Sequence, residues 1–504
     1  MTTTLDGNLT IEDLAEVASG ETEVELGDEV RSRVKKNRST LEKITTETDR
    51  PVYGVTTGFG DLVSEEIPRE KRRQLQVNLL KSHSAGVGEP LSPEAVRGII
   101  ALRVNSLGRG YSGVRLVVLE RLVQLLNKDV VPYVPNKGSL GASGDLIPLA
   151  HVASVLLGEG KAYFEGELLS GDEALKRADI DELVLHEKEG LALINGTQAM
   201  SSIVGLGIHE SSKLLKYADL IGAMTAFILG GNFAQYDSRI YELRPFTGQS
   251  QVARNLRILT DYDAENYQPR NVQDPYSIRC IPQVHGSVRT ALSHVRGIVE
   301  TEMNSVTDNP LIFDRSGAVI SGGNFHGEPV ALVTDYLKIA LSDLANISER
   351  RVNRLLHPDL NGDLPAFLAK NPGINSGLMM AQYTSASLVS ENKNLASPAS
   401  VDSIPVSGDQ EDHVSMGMHG ARSLEEIVKN VREALAVELV SACQAQEFAD
   451  MTLTKPLEDF YKLVREGIPP LDEDRELSSL INRGSELLRD RGFLEKVSDK
   501  YGIS

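Results

Sequence analysis

The chain has 504 residues, with 52 Lys and Arg against 71 Asp and Glu and a net charge of −19 at neutral pH. That acidic excess argues against a nucleic-acid or anionic-membrane partner, because phosphate affinity comes from neutralising charge with Lys and Arg. With 41% apolar and 24% charged residues the composition is that of a globular protein able to bury a sizeable core, neither disordered nor membrane-embedded. Cys280 and Cys443, the two cysteines, cannot make a disulfide framework or a CxxC pair, so a reducing, cytoplasmic setting is expected. Met1 to Thr10 lacks the basic start and apolar stretch of a signal peptide. Leu220 to Gly231, among the longest weakly polar stretches, falls short of the ~20 residues that span a bilayer.

In chain order, the first fifty residues read as polar and acidic. Ser92-Pro93-Glu94 predicts a helix start, with Ser as cap and Pro in the first turn. Val96, Ile100, Val104 and Leu107 then follow at helical spacing. From Val131 to Gly144 the chain carries Pro132, Pro135, Gly138, Gly141 and Gly144 and reads as a loop. Residues 161–169 and 311–320 read as short strands with a Gly at each turn. Residues 330–356 contain neither Gly nor Pro, and Val333, Leu337, Ala340, Leu344 and Ile347 mark the seam of a packed helix. Residues 423–446 predict another, opening on Ser423-Leu-Glu-Glu and continuing through Ile427, Val431, Leu435 and Leu439. The expected fold is therefore mainly α: a long-helix bundle with small β hairpins. Residues 1–110 are expected to form a mixed N-terminal part carrying Tyr53 and His83, and residues 111–504 the bundle carrying the glycine-rich loop.

Several common chemistries lack their motifs: there is no GxxxxGK[ST] phosphate loop, no HExxH and no GxSxG elbow. The histidines are scattered, and His413 and His419, six apart, do not share a helical face suited to a metal. Small residues converge instead at Gly138-Ser-Leu-Gly-Ala-Ser-Gly-Asp145. There the amide nitrogen of Gly144 could attack the carbonyl carbon of Ala142 and close a five-membered ring. Loss of water from that ring and from the Ser143 side chain would leave an electrophilic exocyclic methylidene. Such chemistry needs a Gly for the strained conformation and a Ser to eliminate. The tripeptide alone does not distinguish this from a flexible turn, because Ala18-Ser19-Gly20 repeats it among Glu16, Glu21 and Glu23, where a solvated loop is expected. A serine-hydrolase reading using Ser143, His151 and Asp145 has no elbow motif to support it.

The segment Gly141-Ala-Ser-Gly-Asp-Leu-Ile-Pro-Leu-Ala-His151 resembles the prosthetic-group segment of the histidine and aromatic amino acid ammonia-lyases, which contain 4-methylideneimidazol-5-one. Six further segments resemble the family's in its order: Tyr53-Gly-Val-Thr-Thr-Gly-Phe-Gly60, Ser82-His-Ser-Ala-Gly-Val-Gly88, Asn195-Gly-Thr-Gln198, Gln273-Asp-Pro-Tyr-Ser-Ile-Arg279, Gly322-Gly-Asn-Phe-His326 and Gln410-Glu-Asp-His-Val-Ser-Met416. The resemblance implies a mostly helical subunit in a homotetramer, each active site being built from three subunits. It implies that Ala142, Ser143 and Gly144 form the prosthetic group with no external cofactor or metal, and that the partner is a small-molecule amino acid substrate.

The resemblance also implies roles. Tyr53 matches the catalytic tyrosine; its phenol, with an ordinary pKa near ~10, needs nearby positive charge or hydrogen bonds to act as a base at neutral pH. Arg279 matches the carboxylate-binding arginine, whose planar fork suits two oxygens. Tyr276, Asn195 and Gln273 resemble residues that hydrogen-bond the prosthetic group or substrate, and Phe325 the aromatic residue bordering the electrophile. Glu411 stands where a carboxylate can accept from an imidazole N–H, whereas a phenyl ring would leave it unpaired. Together with His83 it favours histidine as substrate. Thr56, which aromatic-specific relatives share, leans the other way, and Ile147 replaces the Ala usual after Gly-Asp-Leu. The alternatives are tyrosine or phenylalanine ammonia-lyase or aminomutase activity, or an inactive helical scaffold.

Overall fold

The computed structural model describes residues 2–47, 52–58, 66–265 and 272–504. As expected, the fold is mainly α, and the strands form sheets of only two or three members. The chain divides into two compact units. Residues 1–209, 296–335 and 398–422 make the first, and residues 210–295, 336–397 and 423–504 the second.

The first unit begins with structure where the sequence reads as merely polar. Strand Thr2–Leu5 pairs in parallel with Glu23–Leu26, and helix Ile11–Ser19 connects them. Thr10 caps that helix in a reciprocal capping box with Asp13, satisfying amides that the first turn leaves free. Helix Asp28–Glu47 buries Val30, Val34 and Leu41, a stripe too narrow to stand out in a charged segment. Ala18-Ser19-Gly20, expected in a solvated loop, is the end of the first helix: Ala18 is buried, and Gly20 is its left-handed C-cap. Helix Pro93–Gly108 starts where predicted, Ser92 Oγ accepting from the Ala95 amide at 3.2 Å, and it is buried nearly all round. Helix Leu116–Asn127 packs on it, so residues on both sides of position 110 belong to this unit.

The 131–144 segment contains two very short strands. Val131–Pro132 pairs with Lys161–Phe164, and Pro135–Lys137 with Val87–Pro90. The two predicted hairpins are present, Lys161–Phe164 with Glu167–Ser170 and Leu311–Phe313 with Ala318–Ile320.

The second unit is built from long helices, among them two whose first turns lie in the first unit. Helix Glu328–Leu356 buries Val333, Leu337, Leu344 and Ile347, with Ala340 half-buried. Lys338, Ser348 and Arg351 are buried on it too. Helix Gly417–Gln446 begins six residues before Ser423. The apolar pattern already runs through Met418 and Ala421, both buried, and Ser415 Oγ accepts from the Gly417 amide, so Ser423 is interior to the helix. In this unit Arg351 forks onto Glu438 at 2.6 and 2.8 Å. Ser348 and Thr225 also donate to Glu438, at 2.7 and 2.9 Å. His285 pairs with Asp219 at 2.8 Å, and Arg289 and Asn255 donate to the same carboxylate. Buried charges held this fully are sites of high cost if one partner is removed. Among the described residues no helix is long and apolar enough to cross a membrane.

Candidate active site

Ser143 is the centre of a tightly fastened loop. The amides of Met416 and Gly327 donate to the carbonyls of Leu140 and Gly141, at 2.8 and 3.2 Å. Ala142 packs in a small apolar cluster with Val414 and Met416. Gly144 has φ +72°, a left-handed conformation, and a Cβ there would lie 2.2 Å from the Gly196 carbonyl oxygen. Only Gly fits both the conformation and that approach. The next amide, Asp145 N–H, donates to the same oxygen at 2.7 Å.

Asp145 is buried and begins helix Leu146–Val155. Its carboxylate accepts from Ser139 Oγ at 2.7 Å and from the Met200 amide in the first turn of helix Gln198–Ile228 at 2.8 Å. Burial pushes its pKa up to about 6, against those two hydrogen bonds. The carboxyl thus clamps the loop to a helix N-terminus, where negative charge is favoured.

Two of the predicted residues meet at Ser143. Asn195 Nδ2 donates to the Ser143 carbonyl oxygen at 3.1 Å. Ser143 Oγ donates to Glu411 Oε1 at 2.5 Å, across 268 residues of sequence. His83 joins them electrostatically: burial lowers its pKa, while the Leu79 backbone and the charge of Glu411 pull it up. The His83 segment is held in turn by His151, whose Nε2 accepts from the Gly86 amide at 3.1 Å.

Tyr53 lies half-buried in a turn whose Val52 and Val55 pack against Leu41 and Ile312. Thr56 Oγ1 accepts from the Val52 amide at 2.8 Å, so this Thr ties the Tyr53 turn. Phe325 is half-buried in the loop before helix Glu328–Leu356. Gln273, Tyr276 and Arg279 belong to the second unit, where Arg279 Nη1 donates to Gln273 Oε1 at 2.9 Å and Tyr276 is 73% exposed. Phe59 and Gly60, part of the Tyr53 segment, lie outside the described residues.

The sequence reading missed residues that hold this site from behind. Arg103 is fully buried and donates from Nη1 to the Asn195 carbonyl at 2.8 Å and to Gln198 Oε1 at 2.9 Å. Burial lowers its pKa to about 10, Asp308 opposing. Arg103 Nε and Nη2 and Asn195 Oδ1 are buried without a hydrogen-bond partner. Lys188 and Asp308 form a buried pair at 2.7 Å, and Gln76 is also fully buried. An arginine inside the otherwise apolar run from Ile99 to Val104 is the one sequence signal that could have drawn attention to this layer, since a buried charge needs partners.

His326, which the sequence pairs with no other histidine, stacks on His413 with ring centroids 5.7 Å apart. Together with Glu328 they form a group of metal-ligating type. However, His326 Nε2 lies 3.2 Å from the His413 carbonyl oxygen and Nδ1 accepts from the Glu328 amide. Both ring nitrogens are engaged, Nε2 in fastening the Phe325 loop to the Glu411 segment and Nδ1 at the start of helix Glu328–Leu356.

The orphaned amide oxygen of Asn195 beside Ser143, and the left-handed Gly144 pressed so closely against the Gly196 backbone that no Cβ would fit, suit a backbone that rearranges here. Buried polar atoms are normally paired, and strained backbone gathers at functional sites. The family model for aromatic amino acid lyases matches residues 9–466. The chain is 50% identical over 503 residues to a histidine ammonia-lyase of Caldanaerobacter subterraneus, covering 99% of this chain and 98% of the relative. It is 51% identical over 501 residues to one of Symbiobacterium thermophilum, with the same coverage. Among solved structures it resembles histidine ammonia-lyase from Trypanosoma cruzi, with TM-score 0.93 and 41% identity over 99% of this chain and 96% of that one. Tyrosine aminomutase from Streptomyces globisporus also has TM-score 0.93, at 36% identity over 99% of both chains. The chain therefore belongs to the aromatic amino acid lyase family, and its loop at Ser143 lies within the matched region.

Proposed function

We propose that the protein removes ammonia from L-histidine to give trans-urocanate, the first step of histidine degradation. The observation that carries this reading is the 2.5 Å contact between Ser143 Oγ and Glu411 Oε1. It puts the carboxylate suited to an imidazole N–H beside the residue that would become the electrophile. His83, under the influence of the same charge, supplies a second polar group on the imidazole side. Relatives named for histidine, about half identical over nearly the whole chain, support the same substrate.

Ala142, Ser143 and Gly144 would form 4-methylideneimidazol-5-one, the two oxygens lost as water being those of the Ala142 carbonyl and the Ser143 hydroxyl. When formed, that group supplies an electrophile that makes the substrate amine a better leaving group. Asn195 Nδ2–H holds the Ser143 carbonyl, the oxygen the ring would retain, and a hydrogen bond there favours developing negative charge. Tyr53 takes the β-proton as its phenolate. Arg279 binds the substrate carboxylate, Gln273 and Tyr276 hydrogen-bond around it, and Phe325 borders the electrophile. The C–N bond then breaks, ammonia departs, and the electron pair left by the proton becomes the new double bond.

The working form is a homotetramer with shared sites. Gln273 and Tyr276 are exposed on the second unit, as residues that complete a neighbour's site would be. Tyr336, Ile339, Met380 and Tyr383 add exposed large apolar side chains on helices of that unit, the kind of surface a subunit contact would cover. The location is cytoplasmic, which suits two free cysteines, one of them Cys443 with its thiol pushed up to about 12 by burial.

The test is turnover of purified protein offered L-histidine, tyrosine or phenylalanine. A rise in ultraviolet absorbance with histidine is expected. Turnover of tyrosine or phenylalanine but not histidine, or a β-amino acid product, would overturn the substrate assignment.

A further inference from the structure

Gln76 is fully buried in helix Arg72–His83, and neither end of its amide is idle. Its Nε2–H donates to the Gly54 carbonyl at 3.1 Å, one residue from Tyr53. Its Oε1 accepts from the Leu191 amide, also at 3.1 Å, in the short helix Glu189–Ile194 that ends at Asn195. Gly54 has φ +65°, the left-handed region in which Gly carries no steric cost. The close approach of the short helix depends on Gly190, where a Cβ would lie 2.8 Å from the Gln76 carbonyl oxygen. Seven residues further along the same helix is His83, two turns on and on the same face.

We propose that Gln76 is a positioning residue, which fixes the turn carrying Tyr53 against the segment carrying Asn195 and keeps both in register with His83. This rests on the ammonia-lyase reading above, in which Tyr53 takes a proton from a substrate held beside Asn195 and Ser143. The bridge is hard to replace. Each amide end meets a backbone group that would otherwise be buried without a partner, and no other uncharged side chain of that length both donates and accepts. A small displacement of a base costs far more in rate than in substrate binding.

The experiment compares the full chain with Gln76→Leu, which removes both bonds, and Gln76→Glu, which keeps an acceptor for the Leu191 amide but, when ionised, has no donor for the Gly54 carbonyl. In both variants kcat falls at least about tenfold while KM stays within about threefold. The mass decrease of about 36 Da that marks ring formation is retained. Amide hydrogen exchange at residues 52–57 quickens at least about tenfold. Unchanged kcat and exchange overturn the proposal; so does a loss confined to KM, or one that accompanies loss of the mass change. Should Gln76→Leu fail to fold, Gln76→Glu decides by the same readings. Should the wild type leave histidine untouched, the substrate reading fails separately, and the exchange measurement still tests the bridge.

Discussion

The same three residues occur twice in this chain. Ala18-Ser19-Gly20 and Ala142-Ser143-Gly144 even share the left-handed glycine, with φ +79° and +72°. Gly20 closes a helix, and a Cβ there would meet only the flexible end of Arg97, at 3.1 Å. Ser19 is exposed and donates to the Glu16 carbonyl of its own helix. Gly144 faces backbone instead, 2.2 Å from the Gly196 oxygen at the position a Cβ would take. Ser143 is held by Asn195 and Glu411. The left-handed glycine is thus common to both tripeptides, and by itself it does not set the Ser143 loop apart. What differs is the surrounding: compressed backbone, and polar atoms left unpaired at Asn195 and Arg103. Each such atom costs about 1–3 kcal/mol, a cost tolerated where function needs it.

The largest effect expected from breaking this contrast is at Ser143. Ser143→Ala lowers kcat with histidine at least about a thousandfold and removes the mass decrease of about 36 Da. A variant that keeps either would show that the electrophile is made elsewhere. Gly144→Ala is expected to cost about 3 kcal/mol or more of stability, from a Cβ driven against backbone in a left-handed conformation, and to block ring formation. Urea unfolding and intact mass measure both.

Asp145 gives a pH test. Its folded pKa of about 6 lies above the ordinary 3.8, so between those values the folded state holds a proton that the unfolded state has lost. Stability from this group is therefore fullest below about pH 4 and declines as pH rises towards 6, by roughly 3 kcal/mol. Asp145→Asn, whose amide can still accept from Met200 and donate to Ser139, should lack that slope. Parallel slopes in wild type and variant, from urea midpoints at pH 4 and 6, would sink the assignment.

The first tripeptide supplies the small effects. Gly20→Ala should cost about 1 kcal/mol, the ordinary penalty of a left-handed cap. Ser19→Ala should change stability by less than about 0.5 kcal/mol, with kcat unaltered. A loss of activity on Ser19→Ala would erase the distinction between the two loops.

The same contrast measures how far the sequence reached. The start of helix Pro93–Gly108, the two hairpins and the long helix Glu328–Leu356 were legible because capping, turn residues and apolar period are local signals. Helix Gly417–Gln446 was read six residues short because Ser423 mimics a cap inside a continuing apolar stripe. The small parallel pair at the N-terminus was missed because its strands are four residues each and too short to announce a period. Family segments marked Ser143, Asn195 and Glu411 as a set, and their meeting in space bears on the roles assigned to them.

By itself the sequence determined the helical architecture, the absence of several common catalytic motifs and the family, because these are written in spacing and residue type. Only the tertiary structure decided which serine of the two is gripped by Glu411, and why Gly144 tolerates no side chain. It alone revealed the layer of Gln76, Arg103 and Asp145 behind the loop. Those facts depend on groups between 22 and 268 residues apart, and no local pattern records which distant carbonyl a buried amide, guanidinium or hydroxyl will find.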